Sequence, residues 1–143
     1  MRHFFAGILL AIVTLPSAAK ADPQADQKLR DHYEMIVSSL ESRYQYETIV
    51  KTAREALAQF PDDLNLIIPL GDALDRLGRH TEADKVFTDF IASKTWKDDP
   101  SLLRVFMQYH SNLLRQRRNT EAAAILQHVR MIMIAQYQIQ PVN

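Results

Sequence analysis

The chain has 143 residues, with 17 Lys+Arg against 17 Asp+Glu, no cysteine and only three glycines. This length suits one ordinary domain, and the absence of cysteine excludes both a disulfide framework and a lipidated N-terminal cysteine. A balanced charge provides no field for gathering DNA, RNA or anionic lipid, so no nucleic-acid partner is expected.

Arg2 and His3 precede an apolar run from Phe4 to Leu15, broken only by Gly7 and Thr14, and then come Pro16 and Ser17-Ala18-Ala19-Lys20-Ala21. A basic segment, an apolar segment and an A-x-A site in that order predict a cleavable signal peptide over 1–21, cut between Ala21 and Asp22. The apolar run is about 12 residues, against the roughly 20 that a spanning helix needs, so no membrane span is expected after cleavage. Retention of the segment as an uncleaved anchor is the alternative. Removing it leaves 143 − 21 = 122 residues with 15 Lys+Arg and 17 Asp+Glu, a charge of −2. The expected location is periplasmic or secreted.

Residues 22–29 read as a polar N-terminal segment, frayed to about Gln27. Beyond it the apolar residues recur at helical spacing. Leu29, Tyr33, Ile36, Val37 and Leu40 mark one helix face, and Tyr46, Ile49, Val50, Ala53, Ala56, Leu57 and Phe60 mark a second. Pro61-Asp62-Asp63 stops that helix, and a third runs from Leu64 to Leu77 with Gly78 placed as a C-terminal glycine. Pro69 lies inside it and predicts a late start or a kink. Thr81 is the expected N-cap of a fourth helix carrying Ala83, Val86, Phe87, Phe90 and Ile91. Lys94 to Asp99 reads as a polar loop holding the single tryptophan, Trp96. Pro100 or Ser101 opens a fifth helix through Leu113-Leu114, and Asn119-Thr120 caps a sixth expected to reach Gln140. The expected fold class is all-α, built from antiparallel helix pairs.

The pairs recur. The string Leu70-Gly71-Asp72-Ala73-Leu74 with Gly78, Ala83 and Phe87 is echoed by Tyr109, Leu113, Ala122 and Leu126, and Thr120-Glu121-Ala122 matches Thr81-Glu82-Ala83 at an offset of 39. Over 30–140 the chain resembles the tetratricopeptide repeat (TPR) family, with units at about 30–63, 64–97 and 103–136. It departs from that family's pattern at Ile49, Phe90 and His110. The resemblance implies a short α-solenoid in which the first helices of successive units line a concave groove that takes a peptide or partner helix. Carried onto this chain, the groove residues are Asn65, Ile68, Asp72, Asp75 and Arg76 in unit two. Unit three adds Arg104, Met107, Ser111, Leu114 and Arg115, and unit one adds Glu34, Ser38 and Glu41. The function it implies is an exported adaptor or scaffold binding a protein.

Other chemistry has little to stand on. Beyond residue 21 no G-x-S-x-G, S-x-x-K, paired-carboxylate loop or glycine-rich phosphate loop occurs, so no enzyme activity, no catalytic residue and no cofactor is expected. Met107 with His110, and His128 with Met131, have the i,i+3 spacing that could suit copper(I), which leaves a Met/His copper carrier as one alternative. Met beside His is otherwise ordinary helical core, and no metal site is assigned. The last helix is apolar on every side, so Met131, Ile132, Met133, Ile134 and Tyr137 form a candidate docking or homo-oligomer face. A self-associating helical protein is therefore the second alternative.

Overall fold

The computed structural model describes residues 22–94 and 101–137. The signal segment, the Trp96 loop from residue 95 onward and the expected extension of the last helix to Gln140 lie outside them. Among the described residues the fold is six helices without a strand: α1 (Pro23–Ser42), α2 (Tyr46–Leu57), α3 (Leu64–Arg76), α4 (His80–Ala92), α5 (Leu102–Arg115) and α6 (Asn119–Tyr137).

The N-terminal stretch corrects one expectation. Residues 22–29 are not a frayed polar segment, because α1 begins at Pro23. Asp22 caps it by accepting the Gln24 N–H at 3.0 Å, and proline at N1 carries a preset φ and no donor to waste. The helix start lies in Asp-Pro chemistry, which overall polarity conceals. Thr81 is likewise inside α4, whose N-cap is Arg79 without a side-chain cap bond. Asp63, by contrast, caps α3 through the Asn65 N–H at 2.9 Å.

Three turns repeat one geometry. After α3, Gly78 takes φ +74°, its N–H bonds the Asp75 carbonyl and the Arg79 N–H bonds Leu74. After α1, Tyr44 takes φ +55°, with N–H bonds from Tyr44 to Glu41 and from Gln45 to Leu40. After α5, Arg117 takes φ +60°, with bonds from Arg117 to Leu114 and from Arg118 to Leu113. Each is a Schellman ending, and each places a leucine at C3, where that motif uses an apolar contact. The spacings, 78 − 44 = 34 and 117 − 78 = 39, reproduce the repeat seen in the sequence. Only one of the three uses the glycine that relieves a positive φ.

The turns fold the chain into antiparallel pairs, α1 on α2, α3 on α4 and α5 on α6, and α3 also packs on α1, α2 and α5. One core cluster joins Val37, Ile49, Ala53, Leu66, Leu70, Leu74 and Ala83, and a second joins Ile67, Phe87, Phe90, Val105, Phe106, Tyr109, Ala122 and Ile132. Because α3 and α4 feed both, the core is continuous. The closest approach is at Gly71: a β-carbon there would lie 2.2 Å from Phe87 Cζ, so the missing side chain makes room for the ring. Phe87 is fully buried and stacks on Tyr109 at 5.3 Å.

Pro69 sits within an unbroken α3, contrary to a late start. Having no N–H, it leaves the Asn65 carbonyl without its i+4 donor.

Candidate functional site

The first helices of the three pairs, α1, α3 and α5, lie side by side with α3 central. Between them is a cleft of about 430 Å³. Glu34, Ser38 and Glu41 of α1 form one wall, Leu64, Asn65, Ile68 and Pro69 of α3 the floor, and Arg104 of α5 the far side. Glu34 and Glu41 share a wall because seven residues are almost two full turns, about 10 Å along the axis. The Asn65 amide donates to Glu34 Oε2 at 2.9 Å and its oxygen faces the Arg104 guanidinium at 3.4 Å. A second cleft, about 130 Å³, continues the first past Glu41 and Pro69 to Tyr44, Tyr46, Asp72 and Arg76.

The α1 wall is short of positive charge. Burial and then the nearby Asp63 push the Glu34 carboxyl above the usual carboxylate range, against the Asn65 hydrogen bond. Burial and then Asp72 push Glu41 the same way.

Beyond the cleft, α3 and α5 are joined by a polar seam. Arg115 binds Asp72 and also Asp75, its Nε donating to Asp75 Oδ2 at 2.9 Å. Asp75 accepts further from Gln116 Nε2 at 2.6 Å and meets His80 Nδ1 at 2.9 Å. Gln108 bridges Asp72 and Asn112, and the Asn112 amide donates to the Gly71 carbonyl at 3.3 Å. Asp75 is 5 % exposed. Its placement in the groove is therefore corrected: helical spacing gives its direction on α3, but α4 and α5 close over it.

Of the other expected groove residues, Asn65, Ile68 and Arg104 line the larger cleft and Asp72 and Arg76 its continuation. Ser111 is half-buried, while Met107 and Leu114 are exposed on α5 outside these two clefts. Sequence reasoning missed Gln108, Asn112, Gln116 and His80. Their signal was weak, three amide side chains spaced by four along and just past α5, with His80 alone at the start of α4.

The expected docking face on α6 divides. Ile132 is 1 % exposed within the second core cluster, so it is corrected to a core residue. Met131 and Met133 are exposed, Ile134 is half-buried, and Tyr137 ends the helix. A largely apolar cleft of about 340 Å³ lies between α4, α5 and α6, bordered by Ile91, Phe106, Tyr109, Ile125 and Ile132. The histidines have local roles: His110 Nδ1 lies 2.9 Å from the Ala122 carbonyl, and His128 stacks on Phe106 at 5.5 Å. No group of three or more His, Cys, Asp or Glu that could hold a metal occurs among the described residues.

No protein-family model, curated protein or solved structure matches this chain. Among the described residues no helix is long and apolar enough to cross a membrane.

Proposed function

We propose that this is an exported, non-catalytic protein-interaction module, its three helix pairs stacked as TPR-like units and its α1/α3/α5 cleft receiving a segment of a partner protein. The observation that carries the reading is the composition of that cleft. One helix from each pair contributes to it, at the positions where a solenoid of stacked pairs presents its concave face. The thrice-repeated helix ending supports the same arrangement, since equal turns give equal geometry from pair to pair. The polar lining supports a partner held in one orientation, with acid on α1 and base on α5.

The test is affinity capture from the native envelope, comparing the parent with Ser38→Tyr. Ser38 is exposed on the cleft wall, and a tyrosine there fills the space without touching the core. Asp72, Asp75 and Arg115 are poorer targets because they tie α3 to α5. A stoichiometric partner held by the parent and lost by a folded S38Y variant supports the proposal. Identical partners on both proteins refute it.

A second reading rests on α6. Its exposed Leu126, Met131 and Met133, beside the apolar α4–α6 cleft, favour self-association through the last pair. Light scattering that gives a monomer at high concentration excludes it.

A further inference from the structure

The cleft between α1 and α3 carries more acceptor chemistry than its own cations satisfy. Glu41 stands on the α1 wall facing Asp72, and Asp72 is already taken by Arg115 and Arg76. Glu34 receives the neutral Asn65 amide and makes no ion pair among the described residues. Behind it is a third carboxylate, Asp63, whose side chain is 4 % exposed and whose Oδ2 has no hydrogen bond. The nearest cation to that oxygen is Arg30, at 3.6 Å, and its guanidinium is held 5.0 Å over the Phe60 ring. Its Oδ1 caps α3, and Oδ2 and Arg30 Nε, neither of them hydrogen-bonded, meet only as this ion pair, so Asp63 adds negative field behind Glu34 rather than a cation.

The opposite wall supplies one guanidinium, Arg104, whose contacts to Asn65 are long at 3.4 Å. The cleft therefore has an acidic side and a single basic side, with an apolar floor of Leu64, Ile68 and Pro69. Burial first, and then Asp63 at Glu34 and Asp72 at Glu41, raises both carboxyls, and a cation brought beside either would oppose that shift.

We infer that the occupant of this cleft is a basic segment of a partner protein in polyproline II conformation, two of whose Lys or Arg side chains, three positions apart, pair with Glu34 and Glu41. The spacing follows from geometry. The two glutamates are about 10 Å apart along α1, and three residues of polyproline II helix, at roughly 3.1 Å each and three to the turn, cover about that distance and return to the same face. Arg104 then meets backbone carbonyls or an acidic side chain on the segment's other edge, which fixes its polarity. This rests on the groove reading above and narrows it to one chemistry.

The experiment is fluorescence anisotropy on the purified protein with labelled octapeptides of Gly, Ser and Ala. One carries two lysines three positions apart, one carries glutamates at the same places, and one carries two adjacent lysines. The spaced-lysine peptide should bind at least about tenfold tighter than the glutamate peptide, and should weaken about tenfold in the E34Q/E41Q variant. E55Q, an exposed change on α2, should leave it unaltered. E41K provides a second variant in which folding is not at stake, since Glu41 makes no ion pair. The inference is overturned if E34Q/E41Q and E41K bind the spaced-lysine peptide as the parent does, or if adjacent lysines bind equally well. Tight binding of the glutamate peptide that S38Y abolishes would also overturn it, while leaving the groove reading intact.

Discussion

Replacing Gly71 with alanine tests the closest packing in the molecule. The added β-carbon would sit 2.2, 2.5 and 2.8 Å from three atoms of the Phe87 ring, where ordinary contacts begin near 3.4 Å. The ring must therefore shift by about 1 Å, yet it is fully buried and stacked on Tyr109. Overpacking of this kind costs about 1–3 kcal/mol, and a rigid aromatic with no free side places the change at the upper end. Alanine returns about 1 kcal/mol in helix propensity. The net expectation is a loss of about 2 kcal/mol, or a Tm lower by about 6–10 °C for a chain of this size. Urea and thermal melts followed by circular dichroism measure it. F87L in the G71A background should recover about 1 kcal/mol relative to the sum of the single changes, because the smaller side chain vacates the contested space. A G71A protein as stable as the parent, with no coupling to F87L, would show that α4 does not cross α3 at this glycine.

Other outcomes are as specific. Asp75→Ala should cost about 3 kcal/mol in chemical denaturation, since Arg115, Gln116 and His80 all lose an acceptor 3 % exposed to solvent. Arg79 and Arg54 hold the Glu82 carboxyl down at about 2. Its contribution to stability is thus fully present above the unfolded carboxylate range near 4.5 and is lost as pH falls toward 2. The Tm difference between the parent and E82Q should accordingly shrink over that window. Glu41→Gln removes a charge that burial and Asp72 both disfavour, so the variant should melt at or slightly above the parent temperature even as it loses basic peptide. Arg117→Gly, at φ +60°, should raise stability by up to about 1 kcal/mol by relieving a left-handed conformation. A lower Tm would mean that the arginine side chain makes a contact worth more than that relief.

Much of the architecture was legible because helices advertise their buried face. The apolar spacing from Tyr33 to Leu40, the Gly78 stop and the offset between Ala83 and Ala122 all report local periodicity, and the helices lie where those residues put them. The conformation of two helix ends was hidden, because Tyr44 and Arg117 accept a positive φ, which nothing in their side chains announces. The start of α1 was misread because a polar stretch resembles a tail unless Asp22-Pro23 is read as a cap. The cleft was half visible. The TPR resemblance named Glu34, Ser38, Glu41, Asn65 and Arg104, and helical spacing gives the direction a side chain leaves its own helix, but neither says what packs over it. Asp75 shows the difference: it points along the same strip as Asp72, and only the crossing of α4 and α5 turns it from a surface acid into the anchor of a buried seam.

Among the six helices α6 has its backbone close to α5 alone and meets α4 only through side chains of the shared core, whereas α3 is held by α1, α2, α4 and α5. Releasing α6 breaks one helix–helix contact, and releasing α3 dismantles the molecule. Amide exchange should therefore be graded, with α6 protons leaving through local opening and α3 protons only through global unfolding. The chain thus has a loose end and a rigid centre. The surface with the unmet acceptors lies between α1 and that centre, away from α6, so its shape survives excursions in which the terminal pair comes apart and closes again.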